Sequence, residues 1–77
     1  MNTELHLNGR YIAGIDIGTR MTKCALFDNE TCTVVALTTM LTGHNLAASS
    51  EKVLAEACTG AGLNASDVFY VASTGYG

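Results

Sequence analysis

Gly14-Ile15-Asp16-Ile17-Gly18-Thr19-Arg20-Met21-Thr22-Lys23 is the stretch that decides the fold. Just before and into it, Tyr11 to Ile17 is apolar or glycine at every position except Asp16, a composition that suits a buried central strand with both faces covered in a layered α/β sheet. Periodicity alone leaves a short helix open, and Gly18 immediately after the run argues against it. Met21 to Asp28 is the second strand. Only Gly18, Thr19 and Arg20 separate the two, so they pair as an antiparallel hairpin.

A glycine-containing hairpin of this kind directs backbone N–H groups at an anion, and a carboxylate at the end of its first strand faces the same opening. Gly18 and Thr19 suit phosphate binding. Asp16 is the candidate catalytic residue and magnesium ligand, directly or through the ion's water shell, because a charge inside so apolar a strand needs a reason. Lys23, across the hairpin, has the reach to place its ammonium on a phosphate. Thr19 and Thr22 offer hydroxyl donors, and Arg20 offers a guanidinium. Each has a plainer alternative: Asp16 accepting hydrogen bonds from the turn, Lys23 and Arg20 solvated at strand end and hairpin tip, Thr22 an ordinary strand residue.

Outward from the hairpin, Asn29 and Glu30 make a turn, and Thr31 to Leu41, rich in β-branched residues, completes a three-stranded antiparallel meander. Gly43 punctuates the chain. Asn45 then suits the N-cap of a helix whose Leu46, Val53, Leu54, Ala57 and Ala61 recur at helical spacing, with Glu51, Lys52 and Glu56 on the other side. Gly62 followed by Leu63 fits a left-handed C-cap with its hydrophobic contact. Val68 to Ser73 is the last strand. Because a helix carries the chain across, it runs parallel to its neighbour, which is the first strand. Thr74-Gly75-Tyr76-Gly77 reads as a glycine-rich turn at that strand's carboxyl end, where open α/β sheets bind ligands, so Thr74 and Gly75 join the candidate binding set. The alternative is a simple turn into the next element.

The chain has 77 residues, 48% of them apolar and 14% charged, with no proline. That is about half an ordinary domain and unusually apolar for one standing alone, which suits an incomplete domain: a polar leader over 1–10, then the N-terminal part of a larger unit over 11–77. The net charge is −3, and Arg10, Arg20, Lys23 and Lys52 are scattered, so no nucleic-acid footprint is present. No signal-like start and no apolar run near the roughly 20 residues of a membrane span are seen, which points to a cytoplasmic protein without a membrane partner. Cys24, Cys32 and Cys58 form no C-x-x-C pair and read as reduced thiols, with Cys24 and Cys32 in strands and Cys58 on the helix. His6 and His44 have no partner at metal-ligand spacing and read as surface residues. The Asn64-Ala65-Ser66 glycosylation triplet carries no weight.

The run from Gly14 to Lys23 resembles the first phosphate motif of the actin, sugar-kinase and chaperone ATPase superfamily. The wider segment from Tyr11 to Gly77, with Ala61-Gly62-Leu63 and Ser73-Thr74-Gly75-Tyr76-Gly77, is similar to one branch of it. That branch holds the ATPase components of benzoyl-CoA reductase and the activators of 2-hydroxyacyl-CoA dehydratases, and Gly18-Thr19-Arg20 looks most like a benzoyl-CoA reductase D-type subunit. The resemblance implies an α/β chain forming part of an actin-like ATPase (ribonuclease H-like) domain that binds ATP and Mg²⁺. It also implies a 4Fe-4S cluster shared with a related ATPase subunit, with cluster ligands outside this chain. ATP hydrolysis would drive low-potential electrons from ferredoxin onto a catalytic reductase or dehydratase subunit, for reduction of benzoyl-CoA or a related acyl-CoA. Contact with phosphates and magnesium falls on Asp16, Gly18, Thr19 and Lys23, while this chain alone is expected to be inactive. A carbohydrate kinase shares the first motif but usually follows the later strand with a glycine, glutamine and methionine segment. An actin-like assembly protein and an inactive remnant are the readings from other classes.

Overall fold

The computed structural model describes residues 10–75. The expected leader over 1–10, except Arg10, lies outside them, as do His6, Tyr76 and Gly77. The order is β1 (Tyr11–Ile17), β2 (Met21–Asp28), β3 (Thr33–Leu41), α1 (Leu46–Ala61), a short 3-10 turn (Ala65–Asp67) and β4 (Val68–Gly75). One sheet holds the strands in the order β3-β2-β1-β4. The first three form the antiparallel meander, and β4 returns parallel to β1.

The helix begins and ends where its sequence allows. The Asn45 side chain accepts from the Ala48 N–H at 3.0 Å, one of the donors a helix start leaves unpaired. Gly62 ends it at φ 75°, with the Gly62 and Leu63 N–H groups donating to the carbonyls of Thr59 and Cys58. A left-handed residue there costs glycine little. Val53, Ala57 and Cys58 on the helix pack against Ala13, Ile15, Cys24 and Leu26 of β1 and β2, with Leu54, Ala61 and Leu63 around them. Val53 is fully buried, and its truncation to alanine costs about 2 kcal/mol by lost transfer energy and cavity formation.

Three expectations need correction. Among the described residues β1 is central but is covered on one face only: Ala13 and Ile15 are buried under α1, whereas Gly14 and Asp16 on the other face are exposed. The third strand starts at Thr33, and Cys32 lies in the turn, exposed and at φ 59°, not in a strand. The cause is Asp28. Its carboxylate takes a two-pronged hydrogen bond from Arg10, 2.9 Å at the nearest, and also accepts from the N–H groups of Glu30 and Thr31, so those residues are held in the turn. Finally, β4 does not turn away after Ser73: Thr74 and Gly75 stay paired with Asp16 and Ile17.

β4 forms one edge of the sheet, and α1 lies over β1, β2 and β3 instead. Phe69, Tyr70 and Val71 are consequently exposed. No helix among the described residues is long and apolar enough to cross a membrane.

The Arg10 guanidinium beside Asp28, with the two turn N–H groups, holds the Asp28 carboxyl down to about 2 from 3.8. A depressed folded value means stabilisation that is complete above the unfolded value and is lost as pH falls from about 4 toward 2. Melting temperatures by circular dichroism should therefore fall over that window. Asp28→Asn should be less stable at pH 7 and show a shallower acid slope than the parent chain.

Candidate functional site

The pairing register decides which candidate side chains meet. Asp16 lies directly opposite Lys23 on β2 and beside Thr74 on β4. Aligned residues of a pleated sheet share a face. All three are exposed, while Ile15, Thr22 and Cys24, one position along, are buried beneath α1. An ammonium, a carboxylate and a hydroxyl therefore stand in a row across three strands, on the face away from the helix and at the carboxyl ends of β1 and β4. A hollow of about 320 Å³ runs from this row along the same face, past Gly14, Ala25 and Leu37. A Cβ on Gly14 would meet nothing within 4 Å. Nothing among the described residues demands glycine there, and its absence of a side chain keeps the floor of the hollow flat next to Asp16.

The hairpin tip divides its donors differently from the sequence expectation. The Gly18 N–H donates to the Met21 carbonyl at 2.9 Å and closes the hairpin, so it is not free for a phosphate. Glycine is required because a Cβ would sit 2.9 Å from that same carbonyl. The N–H groups of Thr19 and Arg20 meet no acceptor among the described residues, and both residues are exposed. They are the donors that the tip itself does not use.

Thr22 does not join the set. It is fully buried on the helix side, with its hydroxyl 2.7 Å from that of Thr42. The parity of β2 explains this: Lys23 faces the hollow, so its neighbour must face the core. Gly75 contributes through its backbone. It sits at φ 116°, and a Cβ there would overlap the Ile17 carbonyl, so glycine lets the end of β4 close against β1. On the helix side of that strand end, a second hollow of about 300 Å³ is lined by Ile17, Leu46, Ser50 and Ser73.

The sequence reading missed Thr42, whose only signal is the register: Leu41 pairs with Met21, so the next residue falls opposite Arg20. The cysteines form no ligand group. Cys24 and Cys58 lie in the core, where burial pushes both thiols up, and Cys32 is in the distal turn.

No family model matches the chain, and no curated protein matches it. Solved structures do. Component A of the Acidaminococcus fermentans (R)-2-hydroxyglutaryl-CoA dehydratase aligns over 88% of this chain and 26% of its own, with TM-score 0.74 and 24% identity. A diol dehydratase-reactivating factor in nucleotide-free form aligns over 84% of this chain and 12% of its own, with TM-score 0.77 and 30% identity. These likenesses bear out the fold class: the meander, crossover helix and parallel strand correspond to part of an actin-like ATPase domain. The chain spans about a quarter and about an eighth of those two proteins.

The three glycines respond differently to a methyl group. Gly18→Ala and Gly75→Ala should each lower stability by about 1–3 kcal/mol, since the backbone they contact has to move. Gly14→Ala, with open space above it, should stay within about 0.5 kcal/mol of the parent. Urea denaturation of the three variants checks the order.

Proposed function

We propose that this chain carries the first phosphate-binding hairpin of an ATPase, and that the whole protein is an ATP-dependent activator of a dehydratase or reductase. The observation supporting this most directly is the row Lys23, Asp16 and Thr74, set at the same sheet end as a hairpin tip whose exposed Thr19 and Arg20 have N–H groups without an acceptor among the described residues. The donor chemistry suits a magnesium nucleotide. A carboxylate beside the ligand is what magnesium takes, directly or through its waters, and an ammonium, a hydroxyl and free N–H groups are what phosphate oxygens take. Bound Mg-ATP would supply the phosphoryl chemistry. Within this chain Asp16 would hold the metal, Lys23 and Arg20 would balance phosphate charge, and Thr19 and Thr74 would orient oxygens.

The finer reading places the whole protein among benzoyl-CoA reductase ATPase subunits, most like the D type, coupling hydrolysis to low-potential electron transfer toward an acyl-CoA. It rests on Gly18-Thr19-Arg20 and the segment ending in Gly75-Tyr76-Gly77, together with the fold likeness to a 2-hydroxyglutaryl-CoA dehydratase component. Ferredoxin, a related ATPase subunit and the catalytic subunits would be its partners, in the cytoplasm. The residues described here do not fit a 4Fe-4S cluster, since no group of three metal-ligating side chains exists among them and two of the three cysteines are core residues. Any cluster ligands would lie outside them. A second reading, a reactivating factor of a dehydratase, is favoured by the 30% identity to the diol dehydratase factor.

Titration of Mg-ATP into the isotope-labelled chain should move the amide signals of Thr19, Arg20, Lys23 and Thr74. Asp16→Asn should weaken binding about tenfold in magnesium and much less without it, the scale of one charge-assisted contact. Unmoved signals at those four residues, or an Asp16→Asn chain that binds as the parent does, would overturn the assignment. Iron content and anaerobic ATP turnover of the longer protein with its neighbours separate the electron-activating ATPase from the reactivating factor.

A further inference from the structure

We infer that Thr42 is a positioning residue for the phosphate hairpin, acting with Thr22 as a two-hydroxyl relay beneath it; this rests on the nucleotide reading of the same site. Thr42 follows the last residue of β3 and touches the hairpin at three points. Its N–H donates to the Arg20 carbonyl at 2.8 Å, its hydroxyl donates to the Gly18 carbonyl at 2.9 Å, and the same oxygen lies 2.7 Å from the Thr22 hydroxyl.

A threonine hydroxyl has one proton. Since that of Thr42 goes to the Gly18 carbonyl, the Thr22 hydroxyl is the donor in the pair, and the chain runs one way: Thr22 to Thr42 to Gly18. Bonds in series polarise one another, and Thr22 is fully buried, so water does not compete for its end. The effect on the tip is directional. With the Gly18 carbonyl tied inward to Thr42, the Gly18–Thr19 peptide unit is fixed and the Thr19 N–H, opposed to that carbonyl in a trans peptide, faces away from Thr42, while the bond to the Arg20 carbonyl anchors the other side of the tip. Gly18 and Arg20 thus give their acceptors to the protein, while the tip keeps its donors for a ligand.

The tie extends to the helix. The next residue, Gly43, donates its N–H to the Ser49 hydroxyl at 2.8 Å, and Ser49 is itself buried in the first turns of α1. Hairpin tip, end of β3 and start of α1 are therefore one hydrogen-bonded unit, with Thr42 as its joint.

The test compares Thr42→Val, which keeps shape and loses the hydroxyl, with Thr42→Ser, which keeps the hydroxyl. Val53→Ala serves as a destabilised control far from the hairpin. In the ligand-free chain, nitrogen-15 relaxation should show Gly18, Thr19 and Arg20 rigid in the parent and Thr42→Ser, and loosened in Thr42→Val, with order parameters falling from about 0.85 toward 0.6. Mg-ATP affinity should fall about tenfold in Thr42→Val and stay within about twofold in Thr42→Ser and Val53→Ala. A hairpin that stays rigid in Thr42→Val overturns the inference, as does an affinity loss equally large in Val53→Ala. If the parent binds no Mg-ATP, the nucleotide reading fails, while the relaxation comparison still decides whether Thr42 holds the tip.

Discussion

The register between β1 and β2 is the constraint on which the rest of the structure depends. Strand side chains alternate between two faces, so moving the pairing by one residue would turn every side chain over. In the observed register Ala13, Ile15, Cys24 and Leu26 meet under α1, and the same choice leaves Asp16 and Lys23 together on the other side. Core and site are thus one decision. The apolar set stabilises the register, and the register assembles the charged set, which contributes little to folding by itself because exposed opposite charges are worth at most about 1 kcal/mol. β4 then adds Thr74 to the row, and Gly75 permits the close approach that keeps it there.

Hydroxyls complete what the register begins. A hairpin tip is ordinarily free to flex, and a flexible tip loses affinity because ordering it costs entropy. Here the tip is held from behind. Thr42 occupies the Gly18 and Arg20 carbonyls through its hydroxyl and N–H, with the Thr22 hydroxyl behind it, so the tip is tied from one side and exposed on the other. The local polarity follows: Lys23 and Arg20 stand around the tip with the Asp16 carboxylate among them.

Much of this was legible in the sequence because the signals were local. The boundaries of β1, β2 and α1, the Asn45 and Gly62 caps and the parallel return of the last strand each follow from a few adjacent residues. Asp16 and Lys23 stood out for the same reason, as polar residues at strand ends, and Thr74 as the start of a glycine-rich segment. What escaped depended on partners distant in sequence. The late start of β3 needs Arg10 to fix Asp28, 18 positions away. The burial of Thr22 needs the sheet's faces to be known, and the bonds of Thr42 to Gly18 and Thr22 span 24 and 20 positions. The loss of the Gly18 N–H to Met21 is local, yet the motif gives no sign of it, since glycine suits both a donor loop and a closed turn.

The separation of β4 from β1 along the chain has a kinetic meaning. β1, β2 and β3 join through short turns, whereas β4 reaches β1 only after the helix and the 3-10 turn, pairing Val68 with Tyr11. Closing a longer loop costs more entropy before any contact rewards it, so distant pairings form more slowly than adjacent hairpins. The hairpin that carries Asp16 and Lys23 is built from neighbours, and Thr74 arrives with the strand that docks from farthest away. During synthesis the same order is imposed from outside, because β4 is the last of these strands to leave the ribosome; until it docks, one side of β1 remains an unpaired strand edge.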